Sequence, residues 1–218
     1  LLLPLAAFGG GLAATALVAG WAQRQGRLSI AGVLLAGIAI NALCLAGIGL
    51  LSHIADDHAL RSLNFWSFGS LGKAGWTDLL LAAPLMLLPL LLIPRAARGL
   101  NALLLGEAEA GHLGIDVDRL KRRLLLGIAL GVGAAVSLAG IIAFVGLLVP
   151  HLLRLTLGPD HRTLLPAAAW LGGGLLVAAD IAARCALPPT ELPVGILTTL
   201  LGAPFFLWLL RRQHLEGY

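Results

Sequence analysis

The chain holds 218 residues, 59% hydrophobic and 12% charged, with a mean hydropathy of +0.93. Soluble domains carry about 25% charge and 45–50% apolar residues, so an ordinary soluble domain and a disordered chain are excluded. The formal net charge of +4 sits in short basic connectors, no run is long enough to grip a nucleic acid, and Cys44 and Cys185 show neither disulfide nor metal-site spacing.

An α-helix needs about 20 mainly apolar residues to cross a bilayer core about 30 Å thick. The first such stretch, Leu1–Trp21, opens the chain without a Met, a basic leader or a small-residue cleavage site. It reads as a membrane span of a chain that begins earlier, not as a signal peptide. The second, Ile30–Ile54, carries Asn41, which either bonds a neighbouring helix or lines a pathway. The connector Ala55–Trp76 holds Asp56, Asp57, Trp66 and Trp76. It predicts a short helix on the outer face, anchored by tryptophans. Thr77–Ile93 is the third span.

The connector Pro94–Arg123 is the largest polar segment. Leu100, Leu103 and Leu104 recur at helical spacing before Gly106; Glu107–Leu113 predicts a second short helix; Gly106, Gly111 and Gly114 supply stops. Short helices with both charge and exposed leucine suit either a partner's groove or the lipid headgroups.

Leu124–Leu157 is too long for one helix and rich in glycine. It is one kinked helix or two short crossings that turn near Ala139–Gly140. Two crossings give seven spans in all, with His161–Cys185 and Glu191–Leu210 last. They place 12 of the 15 Lys/Arg inside and only Arg61, Lys73 and Arg184 outside. A single crossing would move Arg211 and Arg212 out, so the positive-inside rule favours two crossings and an inner C-terminus. The outer connector Ala186–Pro193 is proline-rich and excludes a continuous helix.

Glycines cluster at 9–11, 131–140 and 172–174, where they would let helices approach closely. No phosphate-cradling G-x-G-x-x-G or P-loop is present. Asp180 is the one carboxylate inside a span, with Arg184 four residues on and on the same face, which predicts an ion pair. An ionisable group in a span also raises an ion-coupled secondary transporter, with Asp180 as coupling site. His151, after Pro150, reads as a hydrogen-bonded structural group. Ser137 and His151 lack a nucleophile motif and a third orienting residue, and the six histidines lack metal spacing, so no catalytic or metal site is expected.

The blocks FVGLLVPHLLR, GPDHRTLLP, ADIAAR, ELPVG and LGAPFF, with FWSFGSL at 65–71 and LLGEAEAGHLGIDV at 104–117, resemble FecCD-type permeases over essentially the whole chain. These are membrane subunits of bacterial type II ABC importers for cobalamin, iron–siderophores and haem. The resemblance implies an all-α, polytopic transmembrane bundle whose seven spans are the last seven of ten, in one permease domain (1–218) that is N-terminally incomplete. It implies a second permease copy, two cytoplasmic ATPase subunits that hydrolyse the ATP, a periplasmic binding protein, and an inner-membrane location. No cofactor is implied. Residues 94–123 then form the cytoplasmic coupling loop, with Gly106, Glu107, Ala108, Gly111, Leu113 and Gly114 on the ATPase-coupling segment. Arg184 is similar to the periplasmic arginine that meets a glutamate of the binding protein, and Ile30–Ile54 to the pathway-lining helix, which points to Asn41. FWSFGSLGKAGW looks most like haem permeases, ahead of siderophore and cobalamin permeases.

Overall fold

A computed structural model describes residues 2–24, 27–72, 74–186 and 192–216. Lys73 and most of the Ala186–Pro193 connector lie outside them. The fold is all-α apart from one two-residue antiparallel pair: α1 (Leu2–Ala22), β1 (Gln23–Arg24), β2 (Arg27–Leu28), α2 (Ile30–Ile54), α3 (Asp57–Phe68), α4 (Trp76–Leu92), α5 (Ala97–Leu103), α6 (Glu107–His112), α7 (Val117–Ala139), α8 (Val145–Leu157), α9 (His161–Ala186) and α10 (Val194–Glu216). The β pair, Gln23 with Leu28 and Arg24 with Arg27, tightens a connector that the sequence left unstructured.

Helix starts follow local polar chemistry. Ser29 Oγ accepts from Gly32 N–H at α2, and Asp56 Oδ1 from Ala59 N–H at α3. Asp116 accepts from Arg119 N–H at α7, and Asp160 from Arg162 N–H at α9. Each side chain satisfies an amide that has no partner inside the first turn.

Among the described residues five helical runs are long and apolar enough to cross a membrane: Pro4–Ala22, Ile30–Ile54, Trp76–Leu103, Val117–Ala139 and His161–Ala186. Val145–Leu157 and Val194–Leu209 are shorter apolar helices. The predicted turn near Ala139–Gly140 is present: α7 ends at Ala139, Gly140 takes φ +72°, and Phe144 takes φ +69° before α8. At 13 residues, α8 rises only about 20 Å, short of a full hydrocarbon core. The basic residues Arg119, Lys121, Arg122 and Arg123, at the end of the predicted connector, form the first turns of α7, which Asp116 caps.

The chain divides into two compact units. In the first, residues 1–64 and 75–138, the buried residues are largely alanines: Ala22, Ala82, Ala97, Ala102, Ala110, Ala129 and Ala134. Small side chains let backbones approach, which replaces the hydrophobic drive that lipid cannot supply. Gly131 and Gly127 receive the Pro89 ring, and Gly133 faces Phe8. Leucines and isoleucines point outward instead; α2 buries no residue at all.

The second unit, residues 65–74 and 139–218, centres on Ala179, Ala183 and Val194, packed by Leu71, Leu176, Leu192 and Leu197. The end of α3 and the residues after it are clasped by backbone: Ile141 N–H donates to Trp66 O (3.1 Å) and Ser70 N–H to Ala139 O (2.8 Å). Gly140 and Gly195 leave no room for a Cβ against Trp66 O and Phe68 O. Phe144 fits over Gly202 and stacks near Phe206 (6.1 Å), which joins the FVGLLVPHLLR and LGAPFF blocks physically. The 172–174 glycines face open space within this chain, so close helix approach is not their role here.

Candidate functional site

The polar connector is a built element. A 3-10 turn over Ile93–Ala96, started by Pro94, leads α4 into α5. The Arg95 guanidinium donates to Leu91 O, the fourth carbonyl back. Gly106, at φ +108°, breaks the chain between α5 and α6, a conformation side chains resist. At the far end Gly114 takes φ +81°, and Ile115 N–H returns to Ala110 O (3.1 Å), closing α6 with a Schellman-type turn.

Gly106, Glu107, Ala108, Gly111, Leu113 and Gly114 therefore lie on one six-residue helix and its two ends. Ala110 is completely buried, whereas Ala108, Glu109, Leu104, Leu105 and Leu113 are exposed. An apolar rim beside carboxylates, on a short rigid element, is a surface suited to a partner rather than to chemistry. Glu107 Oε2 meets Lys121 Nζ of α7 at 2.7 Å. Lys121 was not among the residues singled out. The two are fourteen positions apart on different helices, and no spacing rule reaches that far.

Arg184 and Asp180 form the predicted i,i+4 pair, Nε to Oδ2 at 2.8 Å and Nη2 to Oδ1 at 3.4 Å. Arg184 stays 46% exposed. Asn41 is exposed on α2, a helix that packs along α1 yet buries none of its residues. His151 differs from expectation. Its Nε2 is enclosed with no hydrogen-bond partner among the described residues, and the ring packs against Phe205 and Phe206 at 6.2 and 6.3 Å. Ser137 Oγ donates to Ala134 O of its own helix. Among the described residues no group of three His, Cys, Asp or Glu is placed to hold a metal.

Residues 1–212 match the sequence profile of the FecCD transport family. The hemin transport system permease protein HmuU of Yersinia pestis is 53% identical over 192 residues, covering 88% of this chain and 58% of that protein. The vitamin B12 import system permease protein BtuC of Vibrio vulnificus is 44% identical over 211 residues, covering 96% and 63%. The chain thus spans about three fifths of the length of these relatives. A solved ABC transporter assigned to the metal-chelate type, in an inward-facing conformation, superposes with a TM-score of 0.83 at 31% identity, covering 96% of this chain and 73% of that one.

Proposed function

The chain belongs to the FecCD transport family, and from that premise we propose that it is the permease part of an ATP-driven importer that carries haem inward by alternating access. The observation that carries this reading is the 53% identity to a hemin permease over most of the chain. Vitamin B12 and cobalamin permeases stand at 44%, 48% and 45% identity over similar lengths, which supports cobalamin as an alternative cargo of one mechanism; a ferric siderophore is the other alternative.

The protein performs no covalent step. Two copies pair around a central route in the bacterial inner membrane, two cytoplasmic ATPase subunits grip the α5–α6 segment, and a periplasmic binding protein docks outside. Exposed Leu104, Leu105 and Leu113 around Glu107 and Glu109 support the gripped role of that segment. Nucleotide-driven closure of the partner moves it, and the spans open one side while closing the other. This works only because the partner binds the two states unequally. Exposed Asn41 on α2 is the proposed pathway residue, and Arg184 the proposed docking residue.

The test is uptake by the complete complex in proteoliposomes, with haem, a ferric siderophore and cobalamin in parallel. Vanadate-sensitive haem uptake is expected. Uptake of cobalamin alone would move the cargo, and uptake that needs no ATPase would overturn the class.

A further inference from the structure

We propose that the Glu107–Lys121 ion pair is the tether that makes α6 and α7 move as one body. The inference rests on the coupling role given to α6 above. Helix α6 has only six residues, and glycines in left-handed conformations, Gly106 and Gly114, flank it on both sides. Such joints resist rotation weakly. A push on so short an element would be spent in the joints unless something ties it to a longer one. Ala110 of α6 is fully buried, which resists lifting but carries no direction. The 2.7 Å ion pair between Glu107 and Lys121 is directional and ends on the 23-residue helix α7.

The asymmetry of the pair fits a tether. Lys121 is 9% exposed and Glu107 54%. A nearly buried ammonium holds the carboxylate it meets, because a buried charge is costly unless it is paired and hydrogen-bonded. Glu107 is therefore held at its post by the membrane-spanning side of the contact, while the exposed face of α6 stays free for a motor subunit. Glu107 and Lys121 are positioning residues: they touch no cargo.

The test uses the complete permease with its ATPase subunits in liposomes, and reads cargo moved per ATP hydrolysed. Spin labels at His112 on α6 and Leu126 on α7, both exposed, report whether the helices stay in register. Glu107→Gln and Lys121→Gln should each lower transport per ATP on the order of tenfold while hydrolysis continues, and broaden the label distances. The reversed pair, Glu107→Lys with Lys121→Glu, should recover most of both. If Lys121→Gln does not fold, the half-exposed Glu107→Gln carries the test. An unchanged transport ratio in Glu107→Gln overturns the tether. So does a reversed pair no better than the single variants, or hydrolysis that stops in Glu107→Gln but not in Lys121→Gln, which would put the glutamate on the motor itself. A wild-type complex that imports without ATP hydrolysis would instead defeat the coupling reading, before any variant is made.

Discussion

At the scale of single residues, charge placement carries the most. The Asp180–Arg184 pair leaves the guanidinium 46% exposed, so Arg184 can meet a second carboxylate without leaving the first. That is the property a docking arginine needs. Arg184→Glu should weaken association with the binding protein about tenfold at low salt and less at high salt, because a rim charge acts through a screened field on the encounter rate. Association kinetics at two ionic strengths check this, and equal affinity would reject the docking role. Asp180→Asn removes the in-span carboxylate and should leave ATP-driven uptake in place. Loss of uptake in a properly assembled complex would favour an ion-coupled carrier with Asp180 at its centre. Glycine at 195 is the opposite kind of residue, fixed by packing. A Cβ there would collide with Phe68 O, so Gly195→Ala should cost at least about 2 kcal/mol and lower the thermal midpoint in detergent.

At the scale of elements, α6 is stabilised by its ends more than by its length. Gly106→Ala and Gly114→Ala each force a side chain into positive φ, at about 1 kcal/mol apiece. Local opening should then expose the amides of Glu109–Leu113 about fivefold more often, which hydrogen exchange on that peptide reads directly. Both short connector helices were legible in the sequence, because leucine spacing, a polar run and glycine stops all agree there. The turn at Gly140 was legible for a different reason: thirty-odd apolar residues cannot be one straight span. The start of α7 was not legible. Four basic residues resemble a loop by composition, and only the Asp116 cap, with its bond to Arg119 N–H, places them on a helix. His151 was misjudged because sequence gives polarity but not surroundings; the phenylalanines that enclose it come from α10, more than fifty residues away. The fit of Phe144 over Gly202 was hidden by the same separation.

At the scale of the whole molecule, everything proposed depends on which side each connector faces. Composition decides this more firmly than any single contact. Twelve of 15 basic residues fall on the connectors and tail assigned inside, and the rule that orients membrane proteins counts Lys and Arg near span ends. The short helix α8 is the weak point of the count, since 13 residues do not reach across unaided. Were α8 not a passage, the C-terminal Arg211 and Arg212 would lie outside and the Arg184 end of α9 inside, reversing the docking proposal while leaving α6 in place. Site-directed labelling separates the cases. Cys44 and Cys185 are both free and exposed, so they are first replaced by serine in the complete protein. Single cysteines then go to His58 on α3, Glu109 on α6 and Arg184 on α9, all exposed. An impermeant maleimide should modify His58→Cys and Arg184→Cys from the periplasm, and Glu109→Cys only after the inner membrane is opened. Labelling of position 184 together with 109 would mean that α8 does not cross and that the binding protein meets another surface. Labelling of 109 from outside would reverse the whole arrangement, because a segment in the periplasm has no nucleotide to be driven by.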